Sequence, residues 1–464
     1  MDQWSSRLGF ILAAIGAAVG LGNIWRFPAV VGQNGGGAYL IPYLLAAITL
    51  AIPLLILEIS IGRSLKADIV TACRQVRDRF EIVGWLIGAS VLAILSYYLV
   101  ITGWVLAFLI FTITGSGTTF DAFSSTYQPI GFFIVVSIIV GAIVSLGVSD
   151  GIERMAKTLI PAAIVILAGL GVYAATLPGF TAGASFFFRP DLRVLNDPFI
   201  WSAAFGQVFF SFSVGMGVML TYGSYLDQSV DIPRSAFIIA AADIAIAMLA
   251  GLVIFAIVFS FGLEPTMGTE LAFSTLPAGF AEMPFGWIVG VAFFGLLFLA
   301  AITPSVSMLE VGVASVMRST TLSRRSASIL VTGLILFAGL PSALSYSAVE
   351  LTLLDRPFLD LLDSSVGTLA LPISAVLIVI IFTWFQPART VREQLGDTII
   401  LPIVKYIVPT VLIVVTSVRI FSGVDFYAWR RVPGIAGVDD QAQLIVLVGF
   451  LGISIIAGWY LYRR

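Results

Sequence analysis

The chain has 464 residues, of which 59% are hydrophobic and 11% are charged, with a mean hydropathy of +1.06. Because a soluble domain is about one quarter charged, this composition excludes an ordinary soluble enzyme and indicates a protein embedded in the lipid bilayer. The net charge of −2 carries no information about partners, and we expect no nucleic-acid ligand. The absence of histidine excludes histidine-based metal sites, triads and proton relays.

Apolar stretches of helical length follow one another along the chain. A helix needs about 20 apolar residues to cross the hydrocarbon core. Twelve stretches qualify, at 8–32, 38–62, 82–114, 130–147, 157–177, 200–222, 234–262, 287–317, 325–344, 358–384, 400–421 and 443–462. They predict one all-α membrane domain over 1–464 with twelve transmembrane helices. Most of the 24 Lys and Arg residues fall on the side of both termini, which predicts a multi-pass protein of the cell (cytoplasmic) membrane with cytoplasmic termini.

Two of the twelve stretches are interrupted near their centres. The first reads Gly16-Ala-Ala-Val-Gly-Leu-Gly-Asn-Ile-Trp-Arg-Phe-Pro28, and the sixth is rich in Ser and Gly between Gln207 and Gly217. They occupy the same place in two successive blocks of five spans, 1–5 and 6–10. Paired interruptions of this kind are typical of a transporter's binding site at the membrane midplane, whereas one alone also suits close helix packing. Half-helix N-termini there would attract a carboxylate, and freed carbonyls a cation.

Motifs beside these interruptions carry a family resemblance. They are Gly20-Leu-Gly-Asn-Ile-Trp-Arg-Phe-Pro28, Asn34-Gly-Gly-Gly-Ala-Tyr-Leu-Ile-Pro-Tyr43, Glu58-Ile-Ser-Ile-Gly-Arg63, Tyr97-Tyr98, Gly151-Ile-Glu-Arg154 and Gln207 to Gly217. In them the chain resembles the neurotransmitter:sodium symporter family, whose bacterial and archaeal members carry amino acids. The likeness runs from Arg7 to about Trp384 and more weakly to the end. It implies a 5+5 inverted repeat with broken helices 1 and 6: repeat one at about 8–177, repeat two at about 200–384, and accessory spans 11 and 12 at about 400–462.

The resemblance also implies a substrate pocket, two sodium sites and two gates. The substrate would contact Ala18, Gly20, Ile94, Tyr98, Phe210, Ser211, Ser213, Met216 and Met308. The first sodium ion would bind the substrate carboxylate and Ala18, Asn23, Ser211 and Asp243. The second would bind Gly16, Val19, Ala300 and Thr303. All of these are hard oxygen ligands, which suit an alkali cation. The outer gate would be Arg26 with Asp363, and parts of the inner gate would be Trp4 and Tyr225.

The sequence departs from the family pattern at several of these positions. Pro304 stands where the second sodium site usually has a serine hydroxyl, so one ion and two ions both stay open. Asp243 replaces a common asparagine, and Ala247 stands where some bacterial members have a glutamate. The usual inner-gate arginine aligns with Met1 and its aspartate partner with Arg318, which leaves the charge polarity of that gate open.

Together with the resemblance, the sequence predicts sodium-coupled symport of a hydrophobic L-amino acid by alternating access, with one or two Na⁺ ions and no chloride requirement. Gly20 argues against amine substrates, because the family's amine carriers have an aspartate there. The intramembrane acids Glu58 and Glu310 are interpreted as structural. Two alternatives stay open: a sodium-coupled carrier of another small zwitterionic solute, and a non-transporting substrate sensor on the same scaffold. We expect no enzyme, since no nucleophile–base pair is evident.

Overall fold

The structure, a computed structural model, describes residues 2–263, 271–386, 395 and 400–421. Within these residues the chain is almost entirely helical. The strands there, β1 (Thr352–Leu353) and β2 (Arg356–Pro357), form a short antiparallel hairpin before the tenth span. An isolated bridge joins Gly36 to Pro190. The architecture is therefore the all-α bundle that the hydropathy predicts.

The α-helices are numbered in chain order. The first ten are α1 (Arg7–Ala18), α2 (Phe27–Gln33), α3 (Leu40–Ala46), α4 (Ile52–Leu65), α5 (Ile69–Val76), α6 (Glu81–Thr114), α7 (Phe120–Ser124), α8 (Gln128–Ser145), α9 (Arg154–Ala174) and α10 (Phe180–Phe188). The others described are α11 (Pro198–Ser211), α12 (Val218–Ser224), α13 (Ile232–Ser260), α14 (Leu276–Glu282), α15 (Gly286–Ser319), α16 (Arg324–Ser345), α17 (Phe358–Leu362), α18 (Leu371–Trp384), α19 (Ile400–Pro402) and α20 (Val408–Phe421).

Wider and tighter turns extend several of these helices. The π-helical turns are Gly22–Arg26, Ala47–Ala51, Val148–Glu153, Leu271–Thr275, Asp363–Ala370 and Ile403–Ile407. The 3₁₀ turns are Gly37–Tyr39, Asp78–Phe80 and Leu192–Asn196. Most of the π-helical turns continue directly into an α-helix, so they lengthen a span rather than end it.

In the described part of the chain, nine helices are long and apolar enough to cross a membrane: Gly37–Leu65, Asp78–Thr114, Gln128–Ser145, Val148–Ala174, Ile232–Ser260, Gly286–Ser319, Arg324–Ser345, Phe358–Trp384 and Ile400–Ser417. Arg7–Ala18 and Gly22–Gln33 form a tenth span that is bent by 52°. The sixth predicted span is divided into α11 and α12. These account for the first eleven predicted spans; the twelfth, 443–462, lies outside the described residues.

Local signals in the sequence fix where several helices begin and end. Asp68 accepts a hydrogen bond from the Val70 N–H at 3.0 Å at the start of α5. Asp231 accepts one from the Arg234 N–H, also at 3.0 Å, at the start of α13. Such caps satisfy N–H groups that have no partner within the helix. α6 ends at Gly115, whose φ of +67° is the left-handed conformation that glycine adopts most easily.

Two long helices form the middle of the bundle. α6 and α15, each of 34 residues, pack against each other, and α1 packs against α15. α4 and α12 cross so closely that a methyl group on Gly62 would overlap the Leu220 carbonyl, and one on Gly223 would overlap the Ile59 backbone. Small residues permit this close approach between membrane helices. The interrupted helices are thus held between long, continuous ones.

Candidate functional site

The first interruption lies between α1 and the turn Gly22–Arg26. After Ala18 the backbone is extended at Val19, with φ −75° and ψ 109°. The Gly20 N–H donates to Asn23 Oδ1 at 3.1 Å. Gln207, on the other interrupted helix, donates from Nε2 to the Gly22 carbonyl at 2.9 Å. Backbone groups released by the break are therefore satisfied by side chains, as burial in a membrane protein requires.

The second interruption separates α11 from α12. Ser213, Gly215 and Gly217 have φ values of +50°, +82° and +70°. The Gly215 N–H donates to a carboxylate oxygen of buried Glu58 at 2.6 Å, and the Ser213 hydroxyl donates to the Ala17 carbonyl at 2.7 Å. The Glu58 contact agrees with its interpretation as structural. The two breaks therefore lie side by side and bind each other's backbone.

Three side chains predicted for the first sodium site form one buried cluster. Asn23 Nδ2 donates to Ser211 Oγ at 2.9 Å and to Asp243 Oδ1 at 2.7 Å. The Ser211 hydroxyl donates to Asp243 Oδ2 at 2.8 Å. Each of the three is at most 1% exposed. Asn23 Oδ1 accepts from the Gly20 N–H, so the three side chains and the first break form one connected polar network.

A cavity opens beside this cluster. All nine substrate residues predicted from the resemblance line it, together with Ala17, Gly22, Asn23 and Pro304. Its walls are mostly apolar, and its polar groups are concentrated at the helix breaks. The sequence predicts Pro304 only as a residue of the second sodium site, whereas the structure places its ring in the cavity wall. A mostly apolar cavity with a few convergent polar groups is typical of a small-molecule site.

Tyr98 and Gly20 form one wall of the cavity. The Tyr98 hydroxyl accepts a hydrogen bond from the Leu21 N–H at 3.3 Å. A Cβ atom on Gly20 would lie 3.0 Å from that hydroxyl and 3.0 Å from Pro304 Cγ. Position 20 therefore has no room for a side chain while the neighbouring residues stay in place.

The residues predicted for the second sodium site lie where α1 meets α15. A Cβ atom on Gly16 would be 3.2 Å from Thr303 Cβ, and the Ala300 carbonyl faces the break at Gly20. The Thr303 hydroxyl donates to the Leu299 carbonyl at 3.2 Å and more weakly to the Ala300 carbonyl at 3.5 Å. Because Pro304 has no N–H, it cannot bond the carbonyl four residues earlier, which is that of Ala300.

Of the predicted outer-gate residues, Arg26 lies against a residue of the cavity wall. The Arg26 guanidinium lies over the Phe210 ring, 4.5 Å from its centroid. Asp363 begins the π-helical turn Asp363–Ala370 of the tenth span. Arg26 thus joins the first span to the sixth through Phe210, and its pairing with Asp363 stays a prediction.

The predicted inner-gate residues are in contact at the opposite end of the cavity. The Trp4 indole Nε1–H donates to the Tyr222 carbonyl at 2.9 Å, and its backbone N–H donates to the Tyr225 carbonyl at 3.3 Å. Met1 lies outside the described residues. Arg318, which aligns with the family's aspartate, lies 3.7 Å from Asp68. Arg324, which the sequence alone does not single out, pairs here with Glu310, the partner of the Tyr225 hydroxyl.

Two interrupted helices that meet around a buried cavity, in a bundle of long apolar helices, define a secondary transporter. The profile of the sodium:neurotransmitter symporter family matches residues 1–128 and 123–428. An uncharacterized sodium-dependent transporter of Bacillus subtilis (strain 168) is 35% identical over 407 residues, covering 85% of this chain and 89% of its own length. The chain belongs to the sodium:neurotransmitter symporter family. It is a sodium-dependent, multi-pass membrane transporter and not an enzyme.

Two further comparisons agree with this assignment. An uncharacterized sodium-dependent transporter of Methanocaldococcus jannaschii is 34% identical over 421 residues, which is 85% of this chain and 84% of that one. The crystal structure of MhsT in complex with L-phenylalanine superposes with a TM-score of 0.82 at 37% identity, covering 89% of this chain and 99% of that chain. The predicted fold class, with its broken first and sixth helices, is thereby confirmed.

Proposed function

We propose that the chain carries a bulky hydrophobic L-amino acid together with sodium across the cell (cytoplasmic) membrane by alternating access, with both termini in the cytoplasm. The observation that carries the proposal is the cavity, which is polar at the helix breaks and apolar elsewhere. The two five-span repeats, about 8–177 and 200–384, would be the moving parts. MhsT, solved with L-phenylalanine, supports an amino-acid substrate.

The polar end of the cavity suits the backbone of an amino acid. The Tyr98 hydroxyl and the N-terminal end of the half-helix after Gly20 would bind the substrate carboxylate, because unsatisfied N–H groups and the helix dipole attract an anion. Because residue 20 is a glycine, the protein places no carboxylate of its own at that wall. The substrate's own carboxylate would then complete the first sodium site beside Asn23, Ser211 and Asp243.

The apolar end of the cavity suits a large hydrophobic side chain. Ile94, Phe210, Met216 and Met308 line it, and Ser213 lines the space near the break. Two methionines form an adaptable wall, and one methylene group in such a pocket changes affinity by only about 1–3 kcal/mol. Several related amino acids would therefore compete.

Asp243 would make chloride unnecessary. An acid in the middle of a span costs about 2.5–3.5 kcal/mol on insertion scales, so its presence there calls for a compensating cation. The first sodium ion, bound between Asp243 and Asn23, supplies that charge. In chloride-dependent relatives a bound anion provides the negative charge that this carboxylate provides here.

A second sodium ion would bind Gly16, Val19, Ala300 and Thr303. Pro304 removes the usual serine hydroxyl, yet it also leaves the Ala300 carbonyl without its helical N–H partner and hence available to an ion. The extended backbone at Val19 turns its carbonyl out of the helix. Four protein oxygens and a water would complete the coordination. We therefore propose that two sodium ions bind in each transport cycle.

The decisive experiment is uptake by the purified chain in proteoliposomes, screened over the twenty amino acids with an inward sodium gradient and with sodium replaced by choline as the control. We expect sodium-dependent uptake of large hydrophobic L-amino acids and mutual competition among them. Tight selectivity for glycine or for a charged amino acid would overturn the substrate proposal. Binding of an amino acid without counterflow would instead indicate a substrate sensor.

A further inference from the structure

An arginine is stacked on two aromatic rings where the third and tenth spans reach the same edge of the bundle. Arg77 immediately precedes the span Asp78–Thr114, and Phe385 immediately follows the span Phe358–Trp384. The guanidinium carbon of Arg77 lies 4.8 Å from the centroid of the Phe385 ring and 5.9 Å from that of the Phe80 ring. The two rings meet edge to face with centroids 5.0 Å apart. Cation–π attraction therefore holds the Arg77 side chain beside both rings.

The N–H donors of Arg77 are available to a ligand. A guanidinium has five donors in its plane, and stacking occupies its face but not its edge. Among the residues that the structure describes, no group accepts a hydrogen bond from the Arg77 side chain and no carboxylate pairs with it. The nearby acid Glu81 pairs with Arg74 instead, at 3.8 Å. Because Arg77 is exposed, it presents an oriented set of donors to the outside of the bundle.

Exposed aromatic rings extend from this point to the start of the eleventh span. The Trp384 indole Nε1–H donates to the Lys405 carbonyl at 3.0 Å, and the Trp384 ring meets the Tyr406 ring edge to face at 6.1 Å. Trp384, Phe385 and Tyr406 are 54%, 40% and 54% exposed. The Lys405 ammonium lies 5.6 Å from the centroid of the Tyr406 ring. Since Trp and Tyr at the ends of spans lie at the level of the lipid headgroups, these rings place both cations at that level.

The charge of this region is positive. Residues 74–81 contain three arginines and two acids, and Lys405 adds a cation that pairs with no carboxylate in the described part of the chain. Cations at the level of the headgroups attract anionic lipids. These features define one basic aromatic surface, made of Arg77, Phe80, Trp384, Phe385, Lys405 and Tyr406.

We propose that the basic aromatic surface binds the headgroup of an anionic phospholipid. The planar fork of Arg77 donates two parallel hydrogen bonds to the phosphate, and the flexible Lys405 side chain reaches the same headgroup. The exposed rings contact the glycerol and the first methylene groups of the acyl chains. A soluble anion would engage the two cations but leave the three exposed rings without a partner, which is why the occupant is a lipid. The bound lipid would join the ends of the third, tenth and eleventh spans.

The test is equilibrium binding of radiolabelled phosphatidylglycerol to the purified chain in dodecyl maltoside. An excess of phosphatidylcholine occupies the non-selective sites around the spans. We expect saturable binding that salt weakens and that inorganic phosphate does not displace. Arg77→Gln and Lys405→Gln should each weaken binding about fivefold, the factor for one cation near an anionic lipid surface. The double variant should weaken it by about 25-fold, because the two losses add.

Matched variants separate this surface from a general effect of positive charge. Arg325→Gln removes an exposed arginine from a connection on the same side of the membrane, and its affinity should equal the parent's. Phe385→Leu keeps an apolar side chain but removes the ring beneath Arg77, and should weaken binding about two- to fivefold. Arg77→Lys, which keeps the charge but loses the fork, should bind more tightly than Arg77→Gln and less tightly than the parent. Unfolding temperatures measured in phosphatidylcholine alone verify that each variant is folded.

The outcomes are distinct. Weaker binding in Arg77→Gln and in Phe385→Leu, with parent-like binding in Arg325→Gln, supports the lipid site. Equal affinity for phosphatidylglycerol and phosphatidylcholine, or an equal loss in Arg325→Gln, overturns it. Displacement by inorganic phosphate would indicate a soluble anion and overturn the assignment to a lipid. Because the measurement involves neither substrate nor sodium, failure of every amino acid in the uptake screen would leave its result standing.

Discussion

Gly20→Ala should weaken binding of large substrates. The added Cβ would lie 3.0 Å from the Tyr98 hydroxyl, 3.0 Å from Pro304 Cγ and 3.7 Å from the Ala300 carbonyl. Two of these distances are shorter than an ordinary van der Waals contact, and neither neighbour has a free end: the Tyr98 hydroxyl is bound to the Leu21 N–H, and the proline ring is part of α15. The methyl group must therefore take its space from the cavity.

The expected size of the effect follows from the cost of overpacking. Inserting a methyl group into a filled site costs about 1–3 kcal/mol, which corresponds to roughly 5- to 150-fold in affinity. Phenylalanine and leucine should lose the most, because their side chains fill the cavity. Alanine and other small amino acids should lose little, since they leave space for the wall to move.

The assay is competition of unlabelled amino acids against a radiolabelled substrate in proteoliposomes, for the parent and the variant. Gly88→Ala is the matched control, because it lies on the same helix as Tyr98 and its added Cβ would meet no atom within 4 Å. An unchanged affinity of Gly20→Ala for phenylalanine and leucine, in protein that folds normally, would refute the geometry of this wall.

Three further predictions concern the ions and the outer gate. Replacing chloride by gluconate should leave uptake intact, and the loss of most activity in gluconate would contradict the role of Asp243. Asp243→Asn should lower sodium affinity about tenfold or more, because the ion loses its charged protein ligand. Substrate binding should rise with sodium at a Hill slope clearly above one, and Thr303→Ala should lower sodium affinity; a slope of one that this variant leaves unchanged would mean that the second ion is absent. Arg26→Ala should impair uptake far more than thermal stability, and intact uptake would show that Arg26 does not gate the outer path.

The spans and the cavity could be predicted because their signals are strong in the sequence. In a chain with only 11% charged residues, an apolar stretch of about 20 residues has the length and composition of a membrane-spanning helix. The breaks are marked by glycine residues at corresponding places in two blocks, with Asn23 at the first and serines at the second. The nine substrate residues that the family resemblance implies are brought to one space by the structure.

The contact between Arg324 and Glu310 could not be predicted from the sequence, and the reason is physical. In the sequence Arg324 and Arg325 are equivalent neighbours in a basic connection, and both contribute equally to the positive-inside count. Only the packing of α16 beside α15 distinguishes them, since it directs one side chain to Glu310 and leaves the other exposed. The place of Pro304 in the cavity wall could not be predicted either, because the sequence shows which hydrogen bond a helical proline loses but not which surface its ring covers.

The crossing of α4 and α12 has a mechanical consequence. Gly62 and Gly223 bring the two backbones so close that neither helix can slide or rotate without collision, and the hydrogen bond from Gly215 to Glu58 ties the approach to α12 to the same helix. In the alternating access proposed above, the second span and the latter half of the sixth would therefore move together as one rigid unit. Their movement relative to α11 would be absorbed between Phe212 and Gly217, where Ser213, Gly215 and Gly217 have positive φ angles. Because Ser213 and Met216 also line the cavity, the segment that bends would be part of the binding site itself.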